Sequence, residues 1–186
     1  MKHVKLALVL LLLACVAAAA TQSTQPKSPP TAAKIVRDQV ASIEKELTGV
    51  ASEMPDDKYE FAPTQGAFRG VRNFAKQVKH AAAVNHLVAA TILGERITAD
   101  MSEERGPDSV KTKAEIVKYL KDSFANLNRA AATIDDKNAF TPLKGVSASD
   151  DSRMGLVILA LTHSSNHYGQ LVEYLRMNGL VPPQSQ

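Results

Sequence analysis

Four stretches of this chain repeat apolar residues at helical spacing, and none alternates them as a half-buried strand would. Ile35, Val36, Val40, Ile43 and Leu47 mark the first, which spans about Ala32 to Met54 and stops at Pro55. The second spans about Arg69 to Gly94. The third opens at "TKAE", where Thr112 caps the helix and Glu115 reaches back as its capping-box partner, and continues through Ile116, Tyr119, Leu120, Phe124, Leu127 and Ala131. The fourth starts near Ser149 to Ser152 and ends at "RMNGLVPP", with Gly179 as a left-handed C-cap. Helices this long bury their apolar stripes most simply against one another, so the expected fold class is all-α, a four-helix bundle. The connections, about 55–68, 95–111 and 135–148, are longer than tight hairpins need. A crossover topology is therefore open, and the loops are long enough to roof one end of the bundle.

The start of the chain reads differently. Lys2 and Lys5 precede fifteen apolar residues, Leu6 to Ala20, with small residues at their end. That is the pattern of a secretory signal peptide over residues 1–20, and the run is shorter than the ~20 residues of a membrane span. Two processing routes fit: cleavage near Ala20, or lipidation at Cys15, where "LLAC" loosely resembles a lipobox. Residues 21–31, "TQSTQPKSPPT", read as a flexible linker, leaving 32–183 as one domain. Cys15 is the only cysteine, so the mature domain has no disulfide, thiolate ligand or cysteine nucleophile. Removing Lys2 and Lys5 leaves 20 basic residues against 19 acidic ones, a balance that gives no reason to expect nucleic acid. The expected location is the periplasm or cell envelope, with membrane contact only through a lipid anchor. A bundle of this kind also admits a homodimer.

Chemistry concentrates in "THSSNHYGQ", where His163 and His167 stand one helical turn apart. At ~100° per residue, Leu156, Leu159, His163, His167, Gln170 and Tyr174 share one stripe of the fourth helix. Histidines at i and i+4 can reach one ion, although HxxxH alone serves hydrogen-bonded core histidines equally well. The second helix offers His80 or His86 as a third ligand. Phe74, Val78, Ala81, Asn85, Val88 and Ile92 form its core stripe, and His80 flanks that stripe with Gln77, Val84 and Leu87. His86 falls on the opposite face with Arg72, Lys76, Lys79, Ala83 and Ala90, read here as solvated, which selects His80. Three imidazoles suit a divalent transition metal, with zinc, nickel and iron(II) all reasonable, and leave a position for water or substrate. Gln170 could orient a ligand from the second shell, whereas Tyr168 is turned about 140° from His163 and fits inter-helix packing better.

Other chemistries fail on particular residues. The zincin motif HExxH needs a glutamate where Ser164 stands. No Glu-x-x-His pair supports a carboxylate di-iron site, and no GxSxG elbow is present. Ser164 and Ser165 lack an acid placed to orient a base.

"HSSNHYGQLVEYLRMNGLVPPQS", His163 to Ser185, resembles the C-terminal signature of the DinB-like proteins. "YEFAPTQGAFRGVRNFAKQVKHAAAVNH", Tyr59 to His86, is similar to the family's first signature, in which a loop with an aromatic residue and a proline enters the helix bearing the first ligand. The resemblance implies a four-helix bundle with a divalent metal on His80, His163 and His167. Relatives include bacillithiol S-transferases and a mycothiol-dependent maleylpyruvate isomerase, in which the metal is held to activate the cosubstrate thiol. The export signal departs from that pattern, because those thiols are cytoplasmic. The expectation is thus a metal-dependent hydrolase or thiol S-transferase acting on an unidentified small molecule. The alternative is a non-catalytic metal-binding or interaction module of the cell envelope.

Overall fold

The computed structural model describes residues 29–146 and 151–185. The leader, most of the linker and Ser149 lie outside the described residues. Five α-helices follow in order: α1 (Ala32–Glu53), α2 (Phe74–Leu93), a single turn α3 (Ala99–Ser102), α4 (Lys113–Ala131) and α5 (Arg153–Met177). Short 3₁₀ turns occupy Asp56–Lys58 and Pro183–Ser185. Among the described residues there is no strand, only an isolated bridge between Pro142 and Ser152.

Side-chain caps set the helix starts, each satisfying a backbone N–H left over by the first turn. Thr31 accepts from Lys34 N at 3.2 Å, and Ser152 from Gly155 N at 3.1 Å. The expected capping box is present: Glu115 N donates to Thr112 Oγ1 at 3.3 Å, and Thr112 N to Glu115 Oε2 at 2.9 Å. Helix α2 begins at Phe74 rather than near Arg69. Asn73 accepts from Lys76 N at 2.9 Å, and the carbonyls of Phe61 and Tyr59 take the N–H groups of Phe74 and Ala75. At the far end of α5, Gly179 has φ +75°, the left-handed stop expected there.

Around the bundle, α1 packs on α4 and α5, and α2 packs on the same two helices from the other side. Consecutive helices α1 and α2 therefore stand at opposite corners, and α4 and α5 meet only slightly. The connections from α1 to α2 and from α4 to α5 make these diagonal crossings, whereas the one from α2 to α4 joins neighbouring helices. Leu47, Phe74, Phe124, Leu127 and Leu171 are fully buried between the four helices. A polar chain crosses this core: Ser164 Oγ donates to Asn85 Oδ1 (3.2 Å), Asn85 Nδ2 to Ser123 Oγ (3.4 Å), and Ser123 Oγ to the Leu120 carbonyl (2.7 Å). It joins α5, α2 and α4 and leaves no member unpaired, as burial of polar groups requires.

Two readings from spacing are corrected. Ile35 is 49% exposed, because it stands about 100° around α1 from the face that Val36, Val40, Ile43 and Leu47 bury. The face of α2 read as solvated is largely covered: Ala83, His86 and Ala90 are buried, and only Arg72 and Lys76 remain open. The connection from Gly94 to Thr112, including α3, lies over that face together with α4. Lys79 spends its ammonium on it, donating to the carbonyls of Pro107 (2.7 Å) and Val110 (3.0 Å). His86 stacks at 4.8 Å on Tyr119 and lies 3.0 Å from the Asn126 amide.

The cover comes close at Gly106, whose φ is +70°. A Cβ there would stand 3.1 Å from the Tyr119 ring and 3.2 Å from Lys79 Cε. Gly94 has a similar φ of +67° with nothing within 4 Å. Gly94→Ala is thus expected to cost about 1 kcal/mol for its backbone alone, and Gly106→Ala about 2 kcal/mol or more. Urea denaturation of the two variants checks the ranking.

Candidate metal centre

His80 sits in the second turn of α2, and His163 and His167 sit on successive turns in the middle of α5. The three rings meet edge to face, with centroids 4.3 to 4.9 Å apart. Their Nε2 atoms converge: His163 Nε2 is 3.1 Å from His80 Nε2 and 3.0 Å from His167 Nε2. Nitrogens bound at 2.0–2.1 Å to one tetrahedral ion stand about 3.3 Å apart, so this spacing fits a shared cation with a shift of a few tenths of an ångström. His80 and His167 are buried and His163 half-buried. On α5 the histidine stripe is not the centre of the buried face, which runs through Val157, Ala160, Ser164, Leu171 and Leu175. The histidines lie on its flank, toward α2, with the exposed Gln170 at the edge.

On the far side of His80, a hydrogen bond tells which nitrogen is free. His80 Nδ1 lies 2.7 Å from the Glu104 carbonyl, which can only accept, so the ring proton is on Nδ1 and the lone pair on Nε2. The Glu104 carboxylate stands a further 3.8 Å from the same nitrogen. Among the described residues Glu104 is the only non-glycine with positive φ, +53°, a conformation costly for a side-chain-bearing residue. That turn aims its carbonyl at His80. His163 Nδ1 is buried and has no hydrogen-bond partner among the described residues.

His167 Nδ1 lies 2.6 Å from Gln77 Nε2, and the same Gln77 amide donates to Gln170 Oε1. Gln170 Nε2 in turn donates to Asn166 Oδ1 at 2.9 Å. In this arrangement His167 Nδ1 accepts and its proton is on Nε2. A half-turn of the linked amides reverses the chain: Gln77 Oε1 then accepts from His167 Nδ1–H and from Gln170, which frees His167 Nε2. The three residues thus support ligation through three Nε2 atoms.

Burial, followed by the neighbouring imidazoles, lowers His163 to about 3. Burial and His80 lower His167 to about 4, against a smaller upward pull from Gln170. His80 is lowered too, burial again leading and the Glu104 carbonyl opposing. The nearby positive charge of Arg72 pushes all three the same way. The rings are therefore neutral at pH 7, the form a metal requires.

Other sequence candidates are placed elsewhere. Tyr168 donates to Gln184 Oε1 at 3.2 Å, tying α5 to the C-terminal turn. Ser164 is fully buried in the polar chain to Asn85, and His86 stays with Tyr119 and Asn126. Glu104 and the part played by Gln77 were not read from the sequence. Gln77 carried a signal, since it precedes His80 by three residues on the same face. Glu104 carried none, because it acts through a backbone carbonyl.

Beside the histidines opens a cleft of about 850 Å³. Gln77 and Gln170 form its inner wall, so the groups that touch His167 also face the cleft. Phe68, Val71 and Met177 lie partly open to solvent along its sides. Tyr174 lines it as well and donates to the Arg72 carbonyl at 3.0 Å, pinning the 68–72 segment to α5.

Two outcomes are expected. Gln77→Leu lowers metal affinity about 10–100-fold, whereas Gln77→Glu, which keeps an acceptor for His167 Nδ1, loses little; competitive zinc titration reads both. The second concerns acid. The folded histidine values lie below the ordinary 6.5, so the unfolded chain takes up protons first as pH falls. Stability of the chelator-treated protein is complete above about pH 6.5 and falls below it, by about 2 kcal/mol between pH 7 and 5 after allowance for solvent. Urea midpoints at the two pH values measure the drop, which shrinks in His163→Ala.

No curated protein matches the chain. The family model described as the DinB superfamily matches residues 39–171, from the second turn of α1 through both α5 histidines. That span includes His80, His163, His167, Gln77 and Gln170. The chain belongs to the DinB superfamily.

Proposed function

We propose that this chain is a metal-dependent enzyme that holds one divalent transition ion on Nε2 of His80, His163 and His167. It acts, by hydrolysis or thiol transfer, on a small molecule lodged in the adjoining cleft. The convergence of three neutral Nε2 atoms from two facing helices carries the reading. The all-nitrogen donor set fits zinc, nickel or iron(II) better than a hard cation, which would call for oxygen ligands. Three protein ligands are the pattern of an open site rather than a closed structural one. Such an ion supplies Lewis acidity and makes a water or thiol nucleophilic near neutral pH.

The chain's own residues do the positioning. The Glu104 carbonyl holds His80 in the tautomer that presents Nε2, and Gln77, backed by Gln170, does so for His167 when its amide turns Oε1 toward Nδ1. The Asn85–Ser164 bond fixes α2 against α5 and thereby the reach between the rings. Ser164 has no exposed surface and is committed to Asn85, so it is no nucleophile. Phe68 and Met177 give the cleft apolar sides that limit water near the reacting group.

Elemental analysis of the purified full chain should find one divalent ion per chain, with His163→Ala holding little or none. Equal, stoichiometric metal in both proteins would remove His163 from the site. Metal-dependent melting without turnover across ester, electrophile and thiol substrates would instead favour a non-catalytic envelope module. Export belongs to the same proposal, resting on the leader pattern of residues 1–20. Mass spectrometry of the mature N-terminus should find a start near Thr21, or a lipidated Cys15.

A further inference from the structure

The cleft beside the histidines has a charge pattern that narrows what it can bind. Arg72 and Glu173 are the two charged residues on its walls. Glu173 is already paired, its Oε1 accepting from Arg176 Nη1 at 3.0 Å. Among the described residues Arg72 makes no ion pair, and its guanidinium has no hydrogen-bond partner. Its backbone is nonetheless held, through the bond from Tyr174. A held arginine without a counter-ion, at the mouth of a cleft with an aromatic and aliphatic lining, lacks one thing: an anion.

The volume of about 850 Å³ is in the range that encloses a small organic molecule. The apolar sides suit a hydrocarbon or aromatic body, and Phe68, Val71 and Met177 are 37%, 39% and 52% exposed, large apolar groups left open on one rim. A guanidinium matches a carboxylate in a bidentate fork. A phosphate dianion would leave one negative charge uncompensated beside Glu173, so a single arginine favours the monoanion.

We infer that this cleft binds an amphipathic monocarboxylate, with its carboxylate on Arg72, its apolar body against Phe68, Val71 and Met177, and its far end toward Gln77, Gln170 and the histidines. This names a substrate class for the site proposed above and rests on that reading for the reactive end alone. Arg72 anchors the carboxylate, and the Gln77 and Gln170 wall between cleft and histidines sets which end of the ligand faces the cluster.

4-Phenylbutyrate is a suitable probe, with 4-phenylbutanol, 4-phenylbutylamine and 4-phenylbutyl phosphate as comparisons. Calorimetric titration into the full chain, zinc-loaded and chelator-treated, should find the acid bound about tenfold or more tighter than the alcohol or the amine. Arg72→Gln should abolish that preference, and Arg72→Lys should restore part of it. Glu173→Gln should leave it intact or strengthen it. The inference is overturned if acid and alcohol bind alike, if none binds, if the phosphate binds tightest, or if Arg72→Gln keeps the preference. A preference that needs zinc but not Arg72 also overturns it, since the carboxylate would then be on the ion. Zinc binding without any preference for the acid removes this inference and leaves the metal centre. A preference dependent on Arg72 in a protein that takes up no metal removes the metal centre and leaves the cleft.

Discussion

Helix α2 must be buried on nearly every side, because alanines and valines recur around it from Ala75 to Ala90 and leave no wide polar stripe. Two helices, α4 and α5, cover part of it, and the connection from Gly94 to Thr112 covers much of what remains. This cover brings the Glu104 carbonyl to His80, while contact with α5 brings His163 and His167 to the other edge of the same ring. The three-histidine cluster is therefore a product of how α2 is enclosed. His80 is held between a loop that sets its tautomer and a helix that supplies its partners.

Burial of three imidazoles in one cluster opposes protonation, and His80 makes protonation of His163 and His167 harder still. With the Gln77 and Gln170 amides reversed, what results is a set of lone pairs directed at one point, an arrangement well suited to a cation. The Asn85–Ser164 bond and the apolar packing around it resist separation of α2 and α5, so the cluster cannot easily relax by spreading. The adjoining cleft shares two residues with the cluster, Gln77 and Gln170. A ligand in the cleft and the orientation of His167 are thus linked through the same pair of amides.

Much of the centre was legible in residue spacing. His163 and His167 share a face because four residues are close to one helical turn, and His80 flanks the Phe74–Val78–Ala81 stripe for the same reason. His86 was misread because a wheel describes one helix and its own polar residues. It carries no record that Tyr119 and Asn126, from a helix far along the sequence, will lie over that residue. Ile35 failed in the opposite sense: it was counted into the apolar stripe, but it points about 100° away from the face that Val36, Val40, Ile43 and Leu47 bury. Glu104 was illegible in principle, since any residue supplies a carbonyl and only the left-handed turn aims this one.

By itself, the sequence determined four long helices, the capping box at Thr112, the bundle class and the shared face of the α5 histidines, and it put His80 on the flank of its helix's core stripe. These depend on local periodicity and on caps that act within one turn. The tertiary structure decided which nitrogens face one another and which helix is enclosed. It also decided that Lys79 serves a loop while Arg72 faces a cleft. Those outcomes depend on contacts between residues far apart in the chain, such as His80 with Glu104 and Gln77 with His167, which local periodicity does not encode.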